Sequence, residues 1–122
     1  MNNKTVEQIA RMKEQTIGVE VEMNNITRNA AAKIAAELFG TGRYSDTAAR
    51  NGYYTWSAWD QQGREWKFQR DCSISGPDSQ KCELVTPILK YEDIGRPELS
   101  AMQALELVFT STSELRATQH RA

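Results

Sequence analysis

The feature that most constrains this chain of 122 residues is an alternating run, TIGVEVEM, at positions 16–23. From position 17 onward the odd-numbered residues are apolar, and the even-numbered ones are Gly18, Glu20 and Glu22. Successive side chains of a strand point to opposite faces, so the run predicts a β-strand with one face on a hydrophobic core. The other face then carries two carboxylates about 7 Å apart.

Several further segments have a periodicity or composition typical of one kind of structure. They predict helices over 6–15, 28–39 and 97–109, a loop over 40–52, a hairpin of 53–59 with 65–71, and a sheet-forming run over 82–89 that Pro87 interrupts. Consecutive strands joined by short turns favour antiparallel pairing. The order α–β–α–β–β–β–α therefore predicts one α+β domain with a mainly antiparallel sheet.

Composition excludes several classes of protein. The net charge is −1 and no run of Lys or Arg occurs, which argues against a nucleic-acid partner. No stretch is apolar for long enough to span a bilayer, and the polar N-terminus has no signal-peptide core. Cys72 and Cys82 lack the spacing of a zinc site. Two reduced thiols and no export signal predict a cytoplasmic protein without a membrane partner.

The acidic residues allow two interpretations. Glu20 and Glu22 repel each other on one strand face, and a divalent cation such as Mg²⁺, which prefers carboxylate oxygens, would remove that repulsion. An ordinary solvated strand face explains the same two residues. Asp71 ends the second hairpin strand and fits a turn equally well. Glu83 begins an apolar strand, so it needs a partner, which is either Arg70 or a metal.

Three motifs in fixed order resemble the amidoligase family, carboxylate–amine ligases related to glutamine synthetase and glutamate–cysteine ligase. The family opens with a G-[VIF]-E-[VIL]-E strand, which TIGVEVEM matches. A tryptophan hairpin ending W-x-[VF]-x-x-D-x-S-[IL] follows and is matched by WKFQRDCSI, residues 66–74. The strand E-[LIV]-[VI]-[ST]-P is matched by ELVTP, residues 83–87. The resemblance runs from about Thr16 to Asp93.

The resemblance implies a site, a fold and a reaction. Glu20, Glu22 and Glu83 would be the metal ligands, and Asp71 with Ser73 would form the D-x-S motif near substrate or nucleotide. The fold would be a partial glutamine-synthetase-like catalytic domain, a curved antiparallel sheet with helices on one face. Mg²⁺ (or Mn²⁺) would hold ATP, and the γ-phosphoryl group would pass to a small-molecule or peptide carboxylate. An amine would then attack the acyl phosphate to form an amide.

The C-terminal part of the chain departs from the family pattern. Beyond LKYEDI, residues 89–94, the Gly/His-containing strand and the arginines of the family have no counterpart. We therefore expect residues 1–109 to form a single incomplete amidoligase-like domain and residues 110–122 to be a polar tail that frays. Either the chain is a fragment or its C-terminal end has diverged or shifted frame relative to the family, and we favour truncation or a frame change. Such a chain is expected to be inactive alone, and to self-associate through an unpaired sheet edge or be only marginally stable.

An aromatic hairpin supports the alternative interpretation, a small non-catalytic α+β binding domain. Its members are Tyr53, Tyr54, Trp56, Trp59 and Trp66. Such residues stack ligands in some binding modules, but they also pack as cross-strand pairs in a core. Magnesium-dependent nucleotide binding separates the two functions, because only the ligase requires it.

Overall fold

The structure, a computed structural model, describes residues 2–51, 54–70 and 82–109, and the backbone of 115–121. Its helices are α1 (Asn3–Glu14), α2 (Arg28–Phe39), α3 (Ala48–Asn51) and α4 (Pro97–Phe109), with a 3₁₀ turn at Tyr91–Asp93. The strands are β1 (Gln15–Met23), β2 (Tyr44–Asp46), β3 (Trp56–Trp59), β4 (Glu65–Gln69), β5 (Cys82–Val85), β6 (Leu89–Lys90) and β7 (Leu115–Arg121). Within the described ranges, none of the helices has the length and apolarity needed to cross a membrane.

The seven strands form one antiparallel sheet in which β1 is central. The strands follow the order β2-β3-β4-β5-β1, and β6 and β7 also pair with β1. All pairings are antiparallel. The predicted α+β class with a mainly antiparallel sheet is confirmed, and so is the hairpin, in which Trp56 pairs with Phe68 and Trp59 with Glu65.

The strand predicted over 82–89 is broken into β5 and β6 by Thr86 and Pro87. Proline has no backbone N–H to donate to a ladder. Thr86 closes the gap, because its N–H donates to the Val19 carbonyl at 3.0 Å and its Oγ1 accepts from the Val19 N–H at 3.0 Å. Pairing with β1 then resumes at Ile17 and Leu89. The sheet therefore continues past the proline without an unpaired amide on β1 at this position.

Helix α2 begins and ends where its sequence predicts. The Thr27 side chain accepts a hydrogen bond from the Ala30 N–H at 3.1 Å, which caps the first turn. Gly40 follows the last turn with φ of 80°, a left-handed conformation that glycine adopts without strain. Four buried alanines face the sheet and α4, and their small side chains allow close packing: Ala31, Ala32, Ala35 and Ala36.

The core lies between the sheet and helices α2 and α4. The core includes Val19, Val21 and Met23 of β1, which are all buried. Ile17 belongs to the same face by alternation, but 37% of its surface is exposed. It lies at the end of the strand, in an open groove of about 540 Å³ whose walls include Leu99 of α4. The helices therefore cover Ile17 only in part.

The segment predicted as a loop over 40–52 contains β2 and α3. All three residues of β2 are exposed, so no hydrophobic pattern marks it, and it is held by backbone pairing with β3. The short helix α3 starts where the Asp46 carboxylate accepts from the Ala48 N–H at 2.9 Å. Thr47, between the two elements, is buried and hydrogen bonded to the Thr55 carbonyl.

Residues 115–121, in the segment predicted as a fraying polar tail, form β7 along the second edge of β1. Seven consecutive residue pairs join the two strands. Backbone N–H and C=O groups at a sheet edge accept a partner strand whatever its side chains, so hydrophobic content is a poor guide to such pairing.

Candidate functional site

Glu22 and Glu83 face each other across β1 and β5. They are Cα partners in the register, which places residues of an antiparallel pair about 4.5–5.5 Å apart. Glu20 lies two positions back on β1 and therefore on the same face of the sheet. This is the face opposite Val19 and Val21, which pack in the core beneath the helices. The structure therefore brings all three predicted carboxylates to one face.

A row of polar residues crosses three strands at this point. Glu83 is Cα partner to Gln69 of β4 on one side and to Glu22 on the other. The Gln69 Nε2 donates to Glu83 Oε2 at 3.5 Å. Glu83 is only 8% exposed, whereas Glu20 and Glu22 are half-buried. A carboxylate this buried requires compensating partners, and Gln69 is one of the partners that Glu83 has.

The next row along the sheet adds positive charge. Val85 of β5 is Cα partner to both Glu20 and the half-buried Lys67 of β4. Two strand spacings separate Lys67 from Glu20, about 10 Å. On its other side Glu20 is Cα partner to Arg116 of β7. Lys67 therefore brings a positive charge to the carboxylate face, an arrangement that can attract phosphate groups.

The described residues of the carboxylate face do not form a complete metal site. Within the described ranges, no group of three or more acidic, His or Cys residues is close enough to hold a metal alone. Mg²⁺ usually binds through one or two carboxylates and takes its other ligands from water and substrate phosphates. Glu22 and Glu83 are a facing pair of carboxylate residues, and Glu20 lies on the same face. Asp71 and Ser73, also predicted here, lie outside the described residues.

A buried ion-pair network that the sequence analysis did not predict ties the hairpin to the segment before α4. Asp60 Oδ2 accepts from Arg64 Nε at 2.8 Å and from Trp66 Nε1 at 2.9 Å. The same guanidinium contacts Asp93 through Nη1 at 2.9 Å, and Asp93 also accepts from the Lys90 N–H at 2.7 Å. The only sequence signal is the DQQGR turn, whose Asp and Arg are four residues apart.

The charges in this network stabilise one another. Burial alone would raise the pKa of Asp60, but hydrogen bonds from Trp66 and Arg64 outweigh it and hold the pKa below its usual value. For Asp93, burial is likewise outweighed by the Lys90 N–H and Arg64, so its pKa is also lowered. Both carboxylates are therefore ionised and fully engaged with protein donors. The network therefore stabilises the fold, and neither of its two carboxylates is available to bind a substrate.

The hairpin aromatics divide between core and surface. Trp66 is fully buried and packs on Phe39 of α2 with ring centroids 5.0 Å apart. Trp56 and Trp59 are half-buried, and Tyr54 is 59% exposed. Trp66 is therefore a core residue, which weakens the interpretation of the whole hairpin as a ligand-stacking surface. Tyr53 lies outside the described residues.

Cys82 is expected to be unreactive in the folded protein. It is fully buried on β5, and burial raises the pKa of its thiol to about 12, which leaves almost no thiolate at neutral pH. Alkylation of Cys82 by iodoacetamide, followed by mass spectrometry, should be slow in buffer and rapid in urea. Rapid modification under native conditions would show that β5 opens locally.

Comparison with known proteins adds one finding. The family described as "Putative amidoligase enzyme" matches residues 13–114, a range that includes all five predicted site residues. Neither the search of curated proteins nor that of solved structures gave a match.

Proposed function

Because the chain belongs to the amidoligase family, we propose that it takes part in carboxylate–amine ligation driven by ATP and Mg²⁺. The observation that carries the proposal is the pairing of Glu22 with Glu83 across β1 and β5. The pair places the oxygen atoms of two carboxylates on one face of the sheet, and Mg²⁺ prefers carboxylate oxygens as ligands. Because the chain belongs to a ligase family, we interpret this pair as part of a site for metal and nucleotide.

The proposed reaction has two steps. A carboxylate oxygen of the acid substrate attacks the γ-phosphorus of ATP, and ADP leaves. The amine nitrogen then attacks the acyl carbon, loses a proton and displaces inorganic phosphate, which leaves an amide. Mg²⁺ held by Glu22 and Glu83 would supply positive charge that offsets the negative charge of the phosphates.

The residues of the chain supply positioning and electrostatics in this proposal. Glu22 and Glu83 would hold the cation on a sheet, whose rigidity would limit reorganisation during phosphoryl transfer. Lys67, on the same face, lies about two strand spacings from Glu20 and is placed to attract phosphate oxygens. Asp71 and Ser73 are proposed to contact substrate or nucleotide, as their family motif implies. The substrates are proposed to be a small-molecule or peptide carboxylate and an amine.

Magnesium-dependent nucleotide binding tests this proposal against a non-catalytic binding domain. Isothermal titration of the chain with a non-hydrolysable ATP analogue should give binding with Mg²⁺ and little or none with EDTA. Glu22→Gln should weaken that binding at least about tenfold, because one of two facing carboxylates loses its charge. Glu37→Gln is the matched control, since Glu37 is exposed on α2, which packs on the other face of the sheet.

The outcomes of this titration differ between the two functions. Binding of equal strength with Mg²⁺ and with EDTA would contradict the metal-dependent ligase. Equal losses in Glu22→Gln and Glu37→Gln would show that net charge, and not the carboxylate face, determines nucleotide affinity.

A further inference from the structure

Trp59 lies on the same face of the sheet as the candidate metal ligands, whereas the other two hairpin tryptophans lie on the core face. Its neighbour Ala58 is fully buried in the core, and successive residues of a strand point to opposite faces. The pairing of the hairpin agrees, because Trp59 is Cα partner to Glu65, which lies on the same side of β4 as Lys67. The half-buried indole of Trp59 therefore belongs to the carboxylate face.

Three residues of different chemistry lie at regular steps along one diagonal of this face. Glu83 of β5 is Cα partner to Gln69, so Lys67, two positions away on β4, is its diagonal neighbour. Lys67 is in turn Cα partner to Ser57, so Trp59 on β3 is the next diagonal neighbour. Each diagonal step spans about 7–8 Å, and the two together span about 15 Å. A carboxylate, an ammonium group and an aromatic ring thus follow the order of metal, phosphates and base in a metal-bound nucleotide.

The indole ring of Trp59 already contacts a planar cation. Arg43 is exposed, and its Cζ lies 5.7 Å from the centroid of the Trp59 ring. A flat group on an exposed residue therefore reaches a face of the ring, and a nucleobase is also flat. An exposed cation–π contact is weaker than the stacking of a base on an aromatic side chain. A base can therefore displace the guanidinium from the ring.

We propose that Trp59 binds the base of the nucleotide by stacking, so that the ligand crosses the face from the metal at Glu83, past Lys67, to the indole ring. This proposal rests on the nucleotide site proposed above and adds the residue that holds the base. Trp59 lies two diagonal steps from Glu83. It therefore acts on nucleotide affinity and does not touch the reacting phosphoryl group.

Comparison of a nucleotide with its phosphate chain alone isolates the contribution of the base. The full chain is titrated calorimetrically, in the presence of Mg²⁺, with a non-hydrolysable ATP analogue and with inorganic tripolyphosphate. Trp59→Ala should weaken binding of the analogue about tenfold and leave the affinity for tripolyphosphate unchanged. Trp59→Phe keeps an aromatic ring and should retain most of the affinity for the analogue.

Tyr44→Ala is the matched control for Trp59→Ala. Tyr44 is an exposed aromatic residue of the neighbouring strand β2, and its Cα partner is the core residue Ala58, so it lies on the opposite face of the sheet. Its loss should leave both affinities unchanged. Equal weakening of the analogue in Tyr44→Ala and Trp59→Ala would overturn the stacking proposal.

Tryptophan fluorescence provides a measurement that does not depend on the alanine variant. The ATP analogue with Mg²⁺ should quench the emission of the wild-type chain, because a stacked base quenches indole fluorescence, and tripolyphosphate should not. Trp59→Phe should lose this quenching. Quenching of the same size in Trp59→Phe would arise from another tryptophan and would contradict the proposal.

Failure of the stacking proposal and failure of the nucleotide site give different results. Binding of tripolyphosphate with Mg²⁺, with no tighter binding of the analogue, would reject stacking by Trp59 and retain the metal site. Equal weakening of both ligands in Trp59→Ala would also reject stacking alone. The absence of Mg²⁺-dependent binding of either ligand to the wild-type chain would reject the nucleotide site and the stacking with it.

Discussion

Asp60→Ala is expected to destabilise the fold by about 3–5 kcal/mol, because it leaves the Arg64 guanidinium partly buried without its closest counter-charge. It also removes the acceptor of the Trp66 indole N–H and of the Gln62 and Arg64 backbone N–H groups. A domain of this size is typically stable by about 5–15 kcal/mol, so the loss is a large share of the total. Urea unfolding followed by tryptophan fluorescence measures it.

Asp46→Ala provides the matched control for Asp60→Ala. Asp46 is an exposed aspartate that accepts a single described hydrogen bond, from the Ala48 N–H, so its loss should cost about 1 kcal/mol. A similar loss in both variants would contradict the structural role of the Asp60 network.

Acid should remove the stabilisation that the Asp60 network provides. The folded pKa of Asp60 and that of Asp93 lie below the ordinary value of 3.8. A carboxyl group whose pKa is lower in the folded chain than in the unfolded chain stabilises the fold at pH values above its unfolded pKa. That stabilisation is lost as the pH falls through the folded pKa. The stability of the wild-type chain should therefore fall below about pH 4. The stability of Asp60→Ala should fall less than that of the wild-type chain over the same pH range.

Neutralising the facing carboxylates is expected to separate metal affinity from stability. Glu22→Gln and Glu83→Gln should each weaken Mn²⁺ binding at least about tenfold, because the cation loses one of two charged ligands. Glu22→Gln should change the free energy of unfolding by less than about 1 kcal/mol, because Glu22 is half-buried and glutamine keeps the shape of its side chain. Glu83→Gln should cost about 1–3 kcal/mol without unfolding the chain, because Glu83 is buried. Calorimetric titration and urea unfolding of the same samples measure the two quantities.

Two outcomes would contradict this separation of metal affinity from stability. Unfolding of either variant would make its glutamate a structural ion-pair partner, the alternative that the sequence left open for Glu83 with Arg70. Unchanged Mn²⁺ affinity in both variants would show that the cation binds elsewhere.

The parts of the fold that sequence analysis predicted have local causes. The alternation of residues 17–23 specifies β1, and Thr27 with Gly40 specifies the ends of α2, because each signal lies within a few residues of its effect. The same is true of the hairpin β3–β4, whose aromatic strands flank a short turn. The order of the three motifs indicates the family without any knowledge of long-range contacts.

The features that sequence analysis missed depend on contacts between distant segments. Asp60 and Asp93 share Arg64 only because the fold brings the hairpin turn beside the 3₁₀ turn. The register that sets Glu22 opposite Glu83 is likewise a property of the assembled sheet, although each glutamate was assigned to a strand. Ile17 follows the core pattern of β1, yet its exposure depends on where α4 covers the sheet.

Locating a bound Mn²⁺ ion tests the central claim most directly. Mn²⁺ broadens the NMR signals of nearby amides, so a titration of isotope-labelled chain with and without an ATP analogue maps the ion onto the fold. The account predicts strongest broadening at Glu20, Glu22 and Glu83, an increase in affinity with nucleotide, and loss of the effect in Glu22→Gln. Broadening centred on α2 or α4, or broadening that survives Glu22→Gln and Glu83→Gln, would contradict it.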